Sequence, residues 1–292
     1  YEPEPLDELI VADTYGSLRV MGGKMSVRFN RRNSCLAGIT VNGEELLAGE
    51  MRLNFWRALT DNDRGARVGA RLGMWKYAGE APNTTFNIES YHVFDEGRKV
   101  IISVTAKIYT EPVSAASLIF TVTSAGMQID YTFNPNPALP EVPEVSLLFP
   151  LSGVFDKVRY LGRGPFDNYI DRDSAADIGL YTEKIDSMYV DYLKPQECGN
   201  RTGVRSAVLT GGKKRLAFSA STQVEMNVSR WLPDELESAP HGYELPQGNK
   251  TVLRVICRQQ GVGGYDSWGA EPNEIYKIKT DKPYRLLFKI DF

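Results

Sequence analysis

Alternation of apolar and polar residues over many short segments constrains this chain more than any other feature of its sequence. An apolar residue recurs at every second position in segments 24–30, 100–109, 118–122, 127–133 and 284–292. A repeat of two residues is typical of a β-strand with one buried face. Two of these segments flank Ser124-Ala125-Gly126, which predicts a β-hairpin there.

Helical signals are few. Segment 63–79 can hold one helix, because Val68, Leu72 and Trp75 would share a face. Segment 233–238 predicts one or two further helical turns.

Many strands with short turns and few helices predict an all-β fold, a large antiparallel β-sandwich. We interpret residues 1–292 as one such domain. The proline-rich segment 134–143 is then a long connection between two halves of the sandwich, since strand patterns continue on both sides of it.

Charge and hydropathy exclude two classes of partner. The net charge is −3 and no basic block is present, which argues against nucleic acid. No apolar run approaches the roughly 20 residues of a membrane helix, so no membrane partner is expected. The chain opens with Tyr1 rather than Met, and we expect it to be a piece of a longer polypeptide.

The three cysteines, Cys35, Cys198 and Cys257, are far apart in the sequence. Their spacing indicates neither a disulfide framework nor a metal site. With only His92 and His241 available, a histidine-rich zinc site is not expected either. We therefore predict buried or half-buried free thiols and no metal in this chain.

Glycoside hydrolysis with retention needs two carboxylates about 5–5.5 Å apart. Glu274 in the PNE tripeptide is a weak candidate for the acid, because it precedes IYKIK in a turn and no barrel strand carries it. His241 with Glu244 could instead exchange the anomeric proton of a sugar, as in an aldose epimerase. The alternative for His241 is a half-buried ring hydrogen-bonded to the backbone.

A further group of charged side chains lies between residues 156 and 173, namely Asp156, Asp167, Asp171 and Asp173 with Arg159, Arg163 and Arg172. Pairs of arginine and carboxylate would pin a loop here without any chemistry. Lining a binding cleft is the other interpretation.

Trp268 stands in the glycine-rich stretch GVGGYDSWGA, an unusual place for a large aromatic residue. Gly263 and Gly264 allow tight turns, and Asp266 and Ser267 can hold such a turn through side-chain bonds to the backbone. The ring could stack on the C–H face of a pyranose, with little loss of side-chain entropy. It could equally cover the edge of its own sandwich.

Four ordered motifs resemble the C-terminal domain of LacZ-type β-galactosidases of glycoside hydrolase family 2: NFWRALTDNDRG (54–65), YLGRGPFDNYIDR (160–172), MYVDYLKPQECGNRTGVR (188–205) and GVGGYDSWGA (261–270). In some bacteria this region is a separate small chain. The resemblance covers residues 6–292. Leu59 replaces the usual proline and Cys198 the usual asparagine, both in expected loops.

The resemblance implies a supersandwich like that of galactose mutarotase-like domains. It implies that the catalytic glutamates and the Mg and Na ligands lie in an upstream α/β barrel, so no catalytic residue and no cofactor is expected in this chain. Trp268 would reach the substrate pocket near the aglycone, with Gly263, Gly264, Asp266 and Ser267 supporting its loop, although Tyr265 replaces a usual aspartate.

The partners implied by the resemblance are the upstream barrel, a β-galactoside substrate and further copies of the full enzyme in a homo-oligomer. Two alternatives remain open at this point. One is a free-standing enzyme like aldose 1-epimerase that uses His241. The other is a carbohydrate-binding module.

Overall fold

The computed structural model describes residues 6–266 and 268–292. All pairings between its strands are antiparallel. The strands are β1 (Ile10–Asp13), β2 (Ser17–Gly22), β3 (Met25–Asn30), β4 (Leu36–Val41), β5 (Glu44–Glu45), β6 (Arg52–Asn54), β7 (Thr84–Phe94), β8 (Lys99–Ile108), β9 (Ser114–Thr123), β10 (Gly126–Asn134), β11 (Glu144–Ser152), β12 (Lys157–Gly164), β13 (Asp177–Lys184), β14 (Arg201–Gly211), β15 (Lys214–Ser229), β16 (Lys250–Gln259) and β17 (Tyr284–Asp291).

Helical structure is confined to short pieces in the described residues. The α-helices are α1 (Asp61–Gly65), α2 (Val68–Leu72) and α3 (Pro233–Ser238), and 3-10 turns occur at Gly73–Trp75, Ile185–Met188, Gly242–Glu244 and Glu274–Tyr276. In these residues the structure contains no helix with the length and apolar character needed to cross a membrane.

Strands β1 to β5 form a five-stranded meander, and the other strands form a 12-stranded sheet. The large sheet branches at β15. Residues 217–220 of β15 pair with β17, whereas residues 225–229 pair with β16, which continues to β11 and β6. The long, branching strand therefore joins two layers of one sheet.

Aromatic contacts show how the layers face each other. Phe149 of β11 and Phe288 of β17 pack edge to face, with ring centroids 6.2 Å apart. Phe29 of β3 contacts Phe120 of β9 in the same way at 4.9 Å, so the meander covers part of the large sheet. The predicted all-β, antiparallel sandwich is confirmed.

The predicted hairpin is also confirmed. Strands β9 and β10 pair residue by residue from Thr123–Gly126 outward. In β17 the residues Tyr284, Leu286, Phe288 and Ile290 are buried while their neighbours are more exposed, as the period of two requires. The segment 134–143 runs from β10, which pairs with β17, to β11, which lies on the other branch of the sheet beside β16.

The prediction of one helix over 63–79 is wrong. The chain instead forms α1, α2 and a 3-10 turn, because Arg67 adopts a left-handed conformation at φ 55° that interrupts the helix. Val68, Leu72 and Trp75 are nevertheless all buried, as predicted. The helical turns at 233–238 are confirmed, with Pro233 in the first turn and Glu235 accepting the Leu232 N–H at 2.7 Å.

Candidate functional site

The fold brings the four sequence motifs into mutual contact. Asp61 donates its backbone N–H to Oε1 of Gln196 at 3.0 Å, and Gln196 Nε2 donates to Oδ2 of Asp61 at 3.1 Å. Asn168 donates its N–H to the Asn200 carbonyl at 2.9 Å. The loop between β16 and β17 completes the group and carries Trp268.

Arg57 ties this loop to α1. Its guanidinium pairs with Asp63 at 2.8 Å, and both side chains are 2% exposed. The same guanidinium donates to the Gln260 carbonyl and, at 2.9 Å, to that of Gly261. Burial by itself would lower the pKa of Arg57, but the Asp63 carboxylate more than offsets this and the pKa lies above its ordinary value.

Asp171 holds the other side of the same loop. Its carboxylate oxygens accept the N–H groups of Val262 at 3.0 Å and Gly263 at 2.9 Å. From α1, Asn62 Nδ2 donates to the Val262 carbonyl at 3.0 Å. The start of the loop is thus bonded from two directions.

The turn that carries Trp268 closes on its own aspartate. Oδ1 of Asp266 accepts the N–H groups of Trp268 at 2.8 Å and Ala270 at 3.2 Å. Gly263 and Gly264 have φ of 65° and 86°, conformations that favour glycine. Ser267 lies outside the described residues.

The Trp268 side chain projects from this anchored turn into solvent and is 91% exposed. The interpretation in which it covers the edge of its own sandwich is therefore wrong for this chain. Tyr265, on the same loop, is about half exposed. The loop presents aromatic surface that this domain does not bury.

Beneath the loops lies a buried charged cluster that sequence reasoning missed. Arg254 of β16 donates to Glu144 of β11 and, at 2.7 Å, to both oxygens of Glu197. All three side chains are almost completely buried. Burial raises the pKa of Glu144, and the positive charge of Arg254 offsets only part of this effect.

Glu225 of β15 adds a third buried carboxyl group. It accepts the Gln259 N–H at 3.0 Å and Asn200 Nδ2 at 2.8 Å. Burial raises the pKa of Glu225 to about 7, although both hydrogen bonds act in the opposite direction. For the buried charges of β11, β15 and β16 the signal in the sequence was a charged residue in an otherwise apolar strand, whereas Glu197 lies in a loop and gave no such signal.

The other sequence candidates are surface groups. Glu274 is paired with Lys277 at 2.8 Å and Lys279 at 3.2 Å, and hydrogen bonding to Lys277 lowers the pKa of this carboxyl. A lowered pKa is the opposite of what a catalytic acid requires. Contrary to the expected backbone hydrogen bond, His241 Nδ1 bonds Glu244 Oε1 at 2.7 Å.

Two of the predicted pairs of arginine and carboxylate form between residues 156 and 173, whereas Asp171 binds backbone amides instead. Arg163 pairs with Asp173 and Arg172 pairs with Asp167, each at 3.4 Å. Across residues 6–266 and 268–292 no cluster of three potential metal ligands is present. The three cysteines are free thiols, two buried and one half-buried, as predicted.

The family model described as "Beta galactosidase small chain" matches residues 21–290. The chain belongs to this family. Leu59 and Cys198 both lie in loops, as expected from the sequence.

Two relatives show the relation to longer and shorter β-galactosidase chains. The β-galactosidase of Priestia megaterium is 33% identical over 284 residues, which are 97% of this chain and 27% of that protein. The β-galactosidase small subunit of Latilactobacillus sakei is 27% identical, over 94% of this chain and 95% of that one. The chain spans about a quarter of the length of the first curated relatives it matches.

Solved structures show the same fold at low sequence identity. A galactose mutarotase-like protein from Clostridium acetobutylicum superposes with a TM-score of 0.56 at 9% identity, over 97% of this chain and 98% of that one. One from Lactobacillus casei gives 0.54 at 11% identity, over 97% and 99%. The galactose mutarotase-like supersandwich is thereby confirmed as a fold.

Proposed function

We propose that this chain completes the active site of a retaining β-galactosidase of glycoside hydrolase family 2. In this proposal the catalytic glutamates, and the Mg²⁺ and Na⁺ sites, belong to an upstream α/β barrel. The chain supplies Trp268 as an aromatic wall of the substrate pocket. The observation that carries the proposal is the 91% exposure of Trp268 on a loop that buried groups hold in place.

An exposed tryptophan on an anchored loop suits this role energetically. The turn bonded to Asp266 fixes the backbone beside the ring before any ligand arrives. A sugar that stacks on the ring therefore meets a surface that loses little further entropy. Orientation of the substrate and exclusion of water then raise the rate, while bond making stays with the barrel.

The positions of the acidic groups support a non-catalytic role for this chain. Glu144 and Glu197 are buried against Arg254, out of reach of a substrate. His241 and Glu244 bond each other on a surface turn, which leaves no gap between acid and base for an anomeric centre. This geometry gives the epimerase alternative no support.

The test is hydrolysis of an aryl β-galactoside by the upstream barrel portion, with and without this chain. We expect the wild-type chain to restore activity. We expect Trp268→Ala to associate equally well but to raise KM by about tenfold, since one stacking surface is lost. Because the ring is exposed, the urea midpoint of the isolated chain should stay unchanged.

Tyr15→Ala is the matched control, since Tyr15 is an exposed aromatic at 97% in the turn before β2. It should restore activity as the wild type does. Equal rescue by Trp268→Ala would remove Trp268 from the proposal. No rescue by a folded, associating wild-type chain would overturn the proposal itself, and sugar affinity of the isolated chain that is lost in Trp268→Ala would favour a carbohydrate-binding module.

A further inference from the structure

Asp171 makes an unusual contact with the Trp268 loop across about 90 residues of sequence. One oxygen accepts the N–H of Val262 at 3.0 Å, and the other accepts that of Gly263 at 2.9 Å. Two consecutive amides thus converge on one carboxylate, as in the anion-binding nests of backbone N–H groups. Such charge-assisted bonds are stronger than bonds between neutral groups.

Gly261, the residue before these amides, leaves room for the carboxylate because it has no side chain. A Cβ at Gly261 would lie 2.6 Å from Oδ2 and 2.7 Å from Cγ of Asp171. Gly261 is not among the residues with positive φ, so the space, and not the backbone conformation, requires glycine at this position. Any larger side chain would displace the carboxylate.

The backbone around Asp171 is closed by hydrogen bonds. Asp171 lies in a tight turn in which Tyr169 and Arg172 exchange backbone hydrogen bonds of 3.2 and 2.8 Å. On the opposite side of the loop, Asn62 of α1 donates to the Val262 carbonyl. The loop entrance is therefore clamped between α1 and the turn at residues 169–172.

We infer that Asp171 is the positioning residue for Trp268: its carboxylate fixes the first amides of the loop and thereby the place where the ring meets the substrate. The inference rests on the proposed function for its effect on hydrolysis. The anchoring of the loop by Asp171 can be measured without any substrate.

Hydrogen exchange of the isolated chain tests the anchoring directly. We expect Asp171→Asn to speed exchange at residues 262 and 263 by about tenfold or more, with other segments unchanged. Asp173→Asn is the matched control, because Asp173 pairs with Arg163 instead. Unchanged exchange at 262 and 263 in Asp171→Asn would overturn the inference.

A double-mutant cycle in the assembled enzyme tests the effect on function. We expect Asp171→Asn alone to raise KM about fivefold, and by less than about twofold when Trp268→Ala is already present. Additive effects in a folded enzyme would overturn the inference. If Asp171→Asn does not fold, Gly261→Ala is used in its place. The added Cβ would push the Asp171 carboxylate away from the loop amides without changing the Asp171 side chain chemically.

The two proposals fail in different ways. Trp268→Ala without effect on hydrolysis would remove the proposed function of the ring, while the exchange experiment would still decide whether Asp171 anchors the loop. Faster exchange in Asp171→Asn with unchanged KM, in an enzyme where Trp268→Ala does raise KM, would overturn the positioning role alone.

Discussion

Gly65, the last residue of α1, and Gly269, next to Trp268, meet backbone to backbone. A Cβ at Gly269 would lie 2.4 Å from the Gly65 carbonyl oxygen, and a Cβ at Gly65 would lie 3.3 Å from Cα of Gly269. Gly269 also has φ of 88°, which favours glycine. The far end of the Trp268 loop is thus seated on α1, just as its beginning is bonded to Asp171 and Arg57.

Gly269→Ala should therefore destabilise the loop in two ways, through backbone strain at positive φ and through a clash with the Gly65 backbone. Gly43 is the matched control, because its φ is 80° but a Cβ there meets nothing within 4 Å. We expect Gly43→Ala to lower the free energy of unfolding by about 1 kcal/mol. Gly269→Ala should lower it by about 2 kcal/mol or more and raise KM of the assembled enzyme, measured by urea denaturation and steady-state kinetics. Equal losses of stability would mean that the loop moves away from α1 freely.

Removal of the Arg57 guanidinium should be among the most damaging single changes in this region. Arg57→Ala leaves the buried Asp63 carboxylate without its partner and two carbonyls without a donor. We expect a loss of about 3–5 kcal/mol in the free energy of unfolding. Arg31→Ala, which breaks the partly exposed pair with Asp13, should cost about 1 kcal/mol or less. Similar urea midpoints for the two variants would contradict the assigned burial.

The buried carboxyl of Glu225 should make stability depend on pH. Its folded pKa of about 7 exceeds the ordinary value of 4.5, so the native state holds the proton more tightly than the unfolded state. Stability from this group is present below pH 4.5 and is lost as pH rises through 7.

Glu225→Gln removes this titration. The free energy of unfolding of the variant, relative to that of the wild type, should rise by about 3 kcal/mol between pH 4 and pH 8. This is the free energy that corresponds to a pKa shift from 4.5 to about 7. Urea denaturation at both pH values measures the change, which includes the effect of Glu225 on the nearby buried carboxyl of Glu144. A constant difference across this range would show that Glu225 is ionised throughout.

The three thiols should be unreactive in the folded chain. Burial raises the pKa of Cys35, Cys198 and Cys257 to about 12, whereas the pKa of an ordinary thiol is 9.0. At pH 8 the thiolate fraction is then about a thousandfold lower than in the unfolded chain. We expect an aromatic disulfide reagent to label all three cysteines rapidly in urea and none rapidly without it. One fast thiol in the native chain would contradict the burial of that residue.

Local structure was largely predictable from the sequence, because it depends on neighbours along the chain. The period of two predicted the hairpin of β9 and β10, and Pro233 with Glu235 specified α3. The error in secondary structure, the single helix over 63–79, arose at Arg67. Nothing in an apolar periodicity reveals that an arginine will adopt φ of 55°.

The sequence by itself determined the alternating strands, the β-sandwich class and the glycine-rich loop that carries Trp268, since these follow from short-range pattern and turn chemistry. Only the tertiary structure decided that Asp171 and Arg57 would converge on that loop, 91 and 203 residues away in the chain. It likewise decided that Arg254 would join Glu144 and Glu197. Contacts of this kind depend on which strands become neighbours, and strand order is set by the burial of whole layers and not by any local motif.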